Sequence, residues 1–506
     1  MKRIFLVVAL IIVALFLYTI TILQYIYITS INSVLPNRII LYVVVGFFGV
    51  FALFLAIKII LKQTYAYNKS YWIIIILLNP ILGIVLYFIF ARDFVTKKFF
   101  KTRPLISSKA FLGLEELTNP TYEKSPYGDI FRFVHETTGR SVYEDDTFVE
   151  ILNNGDVFFP RLIEELNKAK DYIFMEFYII KTDCIGRRVL DVLKEKALQG
   201  IKVHLIYDHF GSNKHLDFKY MKSLKVAGVH IGIFDPQSIS LFNSNVNFRN
   251  HRKAIVIDGY VGFLGGINLG DEYNHQSLKF GFWRDTHILM MGNGVTSIQN
   301  VFIKDWYYIT GNVIDRPMDK TNEHFPGLFS VVESGPDFEN GLIRDIYLKM
   351  IFSAKKSIKI VTPYLIIEPE LMAAIKIAKK SGVEISLLLP GKHDFFVVGF
   401  ATESYYEQLL TMGVKIYEYI DCFVHSKILI IDDELASVGS VNFDPRSFHL
   451  NFEVTGIFAN NAVKVLVNSF SEDISKSNQI DLEVWNKRGL IKRIIEGLFN
   501  LFSPIF

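Results

Sequence analysis

The sequence predicts an α/β protein of two pseudo-symmetric lobes, each a mixed β-sheet flanked by helices, preceded by N-terminal transmembrane helices. Three observations carry that prediction. One spaced pattern, HxK(x4)D(x6)G(x2)N, occurs twice, with every matched position offset by the 174 residues that separate His251 from His425. The same alternation of strands and helices leads into each copy. The N-terminal region holds three long apolar stretches.

Composition sets the frame. Of 506 residues, 51% are hydrophobic and the mean hydropathy is +0.29, which fits a membrane portion joined to a globular one. The globular remainder is long enough for two domains. A net charge of +3 is too small to argue for a nucleic-acid partner. Cys184 and Cys422 make no disulfide framework.

Residues 4–29 and 39–61 are each long enough to span a bilayer. The first follows Lys2-Arg3, but its apolar run is too long for a signal peptide and no small-residue cleavage site follows, so it reads as a retained anchor. A third stretch, 71–90, is interrupted by Asn79-Pro80 and Gly83 and reads as a kinked span or a re-entrant hairpin. Basic residues prefer the cytoplasmic side. Lys2, Arg3, Lys62, Lys69, Arg92, Lys97, Lys98, Lys101 and Arg103 all fall there if 1–65 forms two spans and the third segment, within 66–104, does not cross. The lobes then face the cytoplasm.

The first lobe is expected over 105–320 and the second over 321–480, with an amphipathic tail over 481–506. In the first, 172–180, 202–207 and 229–234 read as strands and 186–199 and 219–226 as helices. In the second, 357–361, 384–389 and 414–419 read as strands and 370–380 and 403–412 as helices. Such β–α alternation argues for a parallel or mixed sheet covered by helices. The tail has apolar residues at 490, 491, 494, 495, 498, 501 and 502 beside Lys487, Arg488, Lys492 and Arg493. It could lie in a lipid interface or dock on the protein core.

Each repeated pattern then reads as a hairpin. His251 and Lys253 share one strand face, as do His425 and Lys427, being two positions apart. Taking Asp258-Gly259 and Asp432-Asp433 as two-residue turns puts His251 opposite Gly266 and His425 opposite Ser440. Small residues there leave room for a ligand. Asn268 and Asn442 lie at the rim, whereas Asp258 and Asp432 fall on the opposite face by strand parity. Two such hairpins together offer two imidazoles, two ammonium groups and two amides. That set suits a phosphodiester, with one His as nucleophile, one as acid, and four donors for the non-bridging oxygens. Lys is not a usual zinc ligand, and no short Cys/His cluster occurs. Neither metal nor cofactor is expected.

The paired patterns resemble the HKD motifs of the phospholipase D superfamily, whose catalytic set would here be His251, Lys253, Asp258, His425, Lys427 and Asp432. The surrounding residues narrow the resemblance. Trp283-Arg284-Asp285-Thr286, Ser334-Gly335-Pro336, Thr362-Pro363-Tyr364, GVKIYEY and NFDPRSFHLNFEV together resemble the bacterial cardiolipin synthases from about residue 70 onward, and LNPILGIVLYFIFAR resembles their N-terminal membrane region. The extra apolar segment ahead of it departs from them.

The resemblance implies a plasma-membrane enzyme that joins two phosphatidylglycerol molecules into cardiolipin and glycerol through a phosphohistidine. His251 would be the nucleophile and His425 the acid and base, one imidazole neutral and the other protonated. Glu453 would orient His251, and Asp285 would orient His425. Lys253, Lys427, Asn268 and Asn442 would bind phosphate. Partners would be the two lipids and the bilayer, without nucleic acid, and a homo-oligomer is compatible. A hydrolase releasing phosphatidic acid, a membrane-anchored nuclease and a non-catalytic scaffold are the alternatives; the small charge excess opposes the nuclease and the intact motifs oppose the scaffold. Arg446 and Ser447 would line the second lobe's edge. His204, His209, His230 and His275 have no matching partner.

The charge distribution makes a prediction about topology. A cysteine at Ser33 should react with an impermeant thiol reagent outside intact cells, and one at Thr102 should not. Labelling at Thr102 would mean that the third segment crosses.

Overall fold

A computed structural model describes residues 35–61, 66–90, 122, 125–139, 141–234, 248–276, 281–314, 322–337 and 341–501. The segment 4–29 and the basic linker after residue 90 lie outside them. The described chain forms an N-terminal unit and a larger globular unit.

In the N-terminal unit, helix Leu35–Ile60 covers most of the second apolar stretch. The third is two helices, Ala66–Leu78 and Pro80–Phe90. Asn79 breaks them because Pro80 removes a backbone donor, and its side chain accepts from Leu82 N at 3.1 Å to start the second helix. The two legs fold back on each other: a Cβ at Gly83 would lie 2.5 Å from Ile76 Cα, and the Trp72 and Tyr87 rings meet edge to face at 5.4 Å. Only glycine allows that approach. Among the described residues, no helix is long and apolar enough to cross a membrane.

Among the described residues, the globular unit contains two large sheets and a two-stranded one. The 7-stranded sheet runs β2-β9-β7-β6-β3-β4-β5, and β1 (Val142–Glu144) is taken by the other sheet. Its strands are β2 (Thr147–Asn153), β3 (Tyr172–Phe177), β4 (Lys202–Asp208), β5 (His230–Phe234), β6 (Ala254–Ile257), β7 (Val261–Gly265) and β9 (Thr286–Gly292). β8 (Phe282–Arg284) stands apart. The 9-stranded sheet runs β1-β10-β17-β16-β15-β11-β12-β13-β18. It uses β10 (Leu328–Ser334), β11 (Ser357–Val361), β12 (Glu384–Pro390), β13 (Lys415–Tyr419), β15 (Ile428–Ile431), β16 (Leu435–Gly439), β17 (Glu453–Ala459) and β18 (Ser477–Gln479); β14 (Cys422–Val424) pairs with β8.

Each lobe has three parallel strands, β3-β4-β5 and β11-β12-β13, and an antiparallel hairpin, β6-β7 and β15-β16, that follows them in the chain. The mixed α/β architecture and the repeat expected from sequence are present. The sheets share one core, in which Phe174, Val256, Leu264 and Ile288 meet Val361, Ile430, Val438 and Val454. These strands read as unbroken apolar runs because both faces are covered. The helix expected over 403–412 is instead two, Phe396–Glu403 and Tyr406–Thr411.

The hairpin turns also differ from expectation. Ile257 pairs with Val261 and Ile431 with Leu435, so three residues, not two, make each connection. Asp258 (φ 51°) and Asp432 (φ 53°) adopt the left-handed conformation that Asp tolerates, which aims each carboxylate at the preceding strand's entry. Asp258 accepts from the backbone N–H groups of Lys170, Asp171 and Tyr172 at 2.8–2.9 Å. Asp432 does the same for Lys355, Lys356 and Ser357. These two members of the motif therefore hold the hairpin to β3 and β11, on the side away from the histidines that strand parity assigned them. Asp432→Ala should cost about 2–4 kcal/mol of stability by orphaning three donors, and Asp432→Asn less. A loss of turnover at unchanged thermal stability would assign Asp432 to the chemistry instead.

Candidate active site

Each histidine precedes the first strand of its hairpin and is fixed by the other lobe. His251 N donates to Phe452 O at 2.9 Å, and His425 N to Arg284 O at 2.7 Å. The residue after each acceptor supplies a carboxylate. His251 Nδ1 lies 3.0 Å from both carboxylate oxygens of Glu453, and His425 Nδ1 lies 2.7 Å from Asp285 Oδ2. The exchange is reciprocal: the first lobe's imidazole meets the second lobe's carboxylate, and the reverse. With Nδ1–H donated to a carboxylate, Nε2 is the nitrogen available to a substrate.

Both carboxylates are fully buried. The His425 and Lys427 charges hold Asp285 down at about 2 despite its burial. His251 and Lys253 likewise lower Glu453. The imidazoles move the other way. Burial, with Lys253 and Lys427 nearby, lowers His251 to about 4 against the pull of Glu453. Burial and Lys427 lower His425 to about 3. Desolvation and two ammonium groups outweigh one carboxylate in each pair, so both imidazoles are pushed toward the neutral form in the empty site.

The lysines are buried as well. Lys253 Nζ donates to His251 O at 2.7 Å, and Lys427 Nζ to His425 O. Each ammonium keeps further donors for a phosphate oxygen. Burial is the main cause that lowers Lys253 to about 7 and Lys427 to about 8.

The two asparagines are not equivalent. Asn268 accepts from Ile179 N at 3.1 Å and donates to Tyr273 Oη at 2.6 Å, so much of its amide serves the protein. Asn442 Oδ1 is buried without a hydrogen-bond partner. The corresponding oxygen of the first lobe, Asn268 Oδ1, is the one held by Ile179 N. The space beside Gly266 is not open for a ligand either. A Cβ there would collide with the Asp285 carboxylate, and Ser440 Oγ donates to Glu453 Oε2. Small residues at these positions make room for the orienting carboxylates.

Sequence reasoning missed the aromatic walls. Tyr178 meets the His251 ring edge to face at 5.0 Å, while Tyr273, Trp283 and Phe423 surround His425 with centroids at 5.8, 5.5 and 5.9 Å. Tyr178 lies just past the C-terminal end of parallel β3, a place where ligands gather in such sheets, and that was its available signal. Arg252, between His251 and Lys253, is buried with Asp305 and lies 3.2 Å from Glu333 of β10. His204 and His230 stack together at 4.8 Å, and His275 pairs with Asp156 at 3.2 Å, so these histidines serve other contacts.

These shifts set a pH profile. Lys253 and Lys427 lose their charge as pH rises through about 7–8, and with it their attraction for phosphate. His251 gains a proton only below about 4. The profile of kcat/KM should therefore fall more steeply once pH passes about 7–8. Lys253→Arg, whose charge persists, should move the alkaline limb upward whatever it does to the rate. An unmoved limb would remove Lys253 from the profile.

Known proteins resemble this chain along most of its length. The sequence model described as cardiolipin synthase, PLD-like domain, matches residues 162–290 and 347–474, one match over each hairpin. The phospholipase D–nuclease N-terminal model matches residues 50–92. Cardiolipin synthase 2 of Bacillus anthracis is 37% identical over 467 residues, covering 90% of this chain and 90% of that protein. The major cardiolipin synthase ClsA of Bacillus subtilis (strain 168) is 36% identical, covering 92% of this chain and 99% of the relative. The crystal structure of a phosphatidylserine synthase from Haemophilus influenzae Rd KW20 superposes with a TM-score of 0.57 at 14% identity, over 74% of this chain and 97% of that one, a likeness of fold. By sequence match across both lobes, the chain belongs to the cardiolipin synthase family of phospholipase D-like proteins.

Proposed function

We propose that the protein is a membrane-bound phosphatidyltransferase that condenses two phosphatidylglycerol molecules into cardiolipin and glycerol. The observation that carries this reading is the crossed pair of histidine–carboxylate contacts, His251–Glu453 and His425–Asp285. It leaves two Nε2 atoms and two lysines for one phosphodiester.

The first lipid's phosphate binds against Lys253 and Lys427, with Asn442 at the rim. Its negative charge raises the proton affinity of the imidazoles, and His425 takes a proton from solvent. His251 Nε2 attacks phosphorus, a P–N bond forms, and the P–O bond to glycerol breaks as His425 gives its proton to the departing oxygen. A glycerol hydroxyl of the second lipid then attacks phosphorus. Its proton passes to His425, the P–N bond breaks, and His251 is restored. One phosphodiester is exchanged for another, so the reaction lies near equilibrium and needs no nucleotide. Discrimination against water must come from holding the second lipid's hydroxyl at phosphorus, where proximity is worth roughly 7–11 kcal/mol.

Residues 4–29 and 39–61 are read as two spans, and the folded-back pair Ala66–Leu78 and Pro80–Phe90 as a re-entrant element on the cytoplasmic side. This arrangement keeps the basic clusters inside and puts the lobes at the lipid they act on. The lobes are assigned to 105–320 and 321–480.

The purified protein in lipid vesicles should convert phosphatidylglycerol into cardiolipin plus glycerol in the presence of EDTA, and added glycerol should reverse the reaction. His251→Ala should abolish the trapped phosphatidyl-enzyme, whereas His425→Ala should still form some from a substrate whose leaving group needs no proton. Phosphatidic acid as the main product would replace this reading with a hydrolase. A phosphohistidine that survives His251→Ala and is absent from His425→Ala would reverse the two roles.

A further inference from the structure

The C-terminal helix Leu490–Leu501 is amphipathic, yet it docks on the protein with much of its polar side inward. Arg488, just before it, reaches Glu407 at 2.7 Å and Glu496 at 2.9 Å. Lys492 pairs with Glu403 at 2.9 Å, and Asn500 Nδ2 donates to Ser404 Oγ at 2.7 Å. Phe499 adds an apolar anchor, stacking on Phe400 at 5.8 Å. The apolar stripe faces outward: Leu490 is 72% exposed, Ile491 76%, Ile494 59% and Leu498 50%. A helix held only by the hydrophobic effect would turn that stripe toward the core.

The exposed stripe continues onto the helix beneath. Phe395 and Phe396, at the start of Phe396–Glu403, are 51% and 70% exposed. The preceding residue belongs to the site's surroundings. Asp394 accepts from Tyr364 Oη at 2.6 Å, and its charge reaches Lys427. Four residues, Gly391–Asp394, thus connect the end of β12 to the apolar ridge, and the last of them contacts the surroundings of the site.

We propose that Phe395, Phe396, Leu490, Ile491, Ile494 and Leu498 form a ridge that inserts into the surface of an anionic phospholipid bilayer on the lobe that carries His425. The proposal rests on the lipid-substrate reading above. Charge selects this occupant. Lys487 and Arg493 are exposed on the helix and its approach, while Glu496 is buried beneath it. The exposed side therefore offers cations to anionic headgroups and apolar side chains to the acyl region. Two copies packed through this ridge would bring like charges together.

The test uses the full chain with Cys184, the exposed cysteine, replaced by Cys184→Ser. An environment-sensitive fluorophore is attached after Ile494→Cys, Leu498→Cys or, as a control at the far end of β12, Glu384→Cys. Each protein is reconstituted into phosphatidylglycerol–phosphatidylcholine vesicles, with or without brominated acyl chains. The probes at 494 and 498 should be quenched by brominated lipid and shielded from aqueous iodide, and the probe at 384 should behave oppositely. The pair Ile491→Glu and Ile494→Glu together should raise the lipid density for half-maximal rate about tenfold and leave the saturated rate unchanged. Iodide access at 494 without quenching by brominated lipid would overturn the proposal. Self-quenching relieved by unlabelled protein, again without lipid quenching, would also overturn it, in favour of a second copy. Cardiolipin formation is measured in the same vesicles. Lipid quenching without that product would refute the proposed reaction and not the ridge, and product without lipid quenching would refute the ridge alone.

Discussion

The protein depends on one exchange: each lobe's histidine is held by the other lobe's carboxylate. A neutral imidazole can present either nitrogen, and only a fixed Nδ1–H contact makes Nε2 the reactive one. Glu453 and Asp285 impose that choice, and both are buried where a carboxylate without a counter-charge would be very costly. The surrounding architecture answers that cost. Ser440 donates to Glu453, Thr286 N donates to Asp285, and two lysines add positive charge nearby. The bridges from His251 N to Phe452 O and from His425 N to Arg284 O lock the backbone of both pairs. Neither lobe can assemble its half of the site alone.

The shared core serves the same end. Val256 and Ile430, on the first strands of the two motif hairpins, are buried in one cluster together with Val454, next to Glu453. Gly456 marks how closely the sheets approach, since a Cβ there would lie 2.9 Å from Ile288 Cδ1. A site divided between two lobes needs an interface stiff enough to hold hydrogen bonds of 2.7–3.0 Å across it. Close packing of two β-branched surfaces supplies that stiffness.

Much of this was legible in the sequence. The duplicated pattern located both histidines and both lysines, and apolar runs bounded by Gly located the parallel strands of both lobes. The partners were legible only by resemblance, because His251 and Glu453 are 202 residues apart and His425 and Asp285 are 140 apart. No local spacing rule spans such gaps. The hairpin register was misread because Asp-Gly is a strong two-residue turn signal, whereas here Asp258 turns its carboxylate back to three backbone donors and takes a third residue into the loop. The amphipathic pattern of 490–502 was visible, but a pattern shows that a helix has two faces and not which one points inward. Ion pairs to Glu403 and Glu407, about ninety positions earlier in the chain, decide that.

Reciprocal exchange is the geometry of a two-fold dimer written into one polypeptide. In a dimer of identical chains, one gene position must serve both halves, so both imidazoles would receive the same carboxylate and the same neighbours. Fusion removes that constraint. Here one half has Glu453 beside Ser440, the other Asp285 beside Gly266, and Tyr273 faces Ser447 across the pseudo-axis of the sequence. Covalent linkage is thus what allows a nearly symmetric pair of histidines to acquire unequal surroundings, and it lets mutation tune the two sides separately.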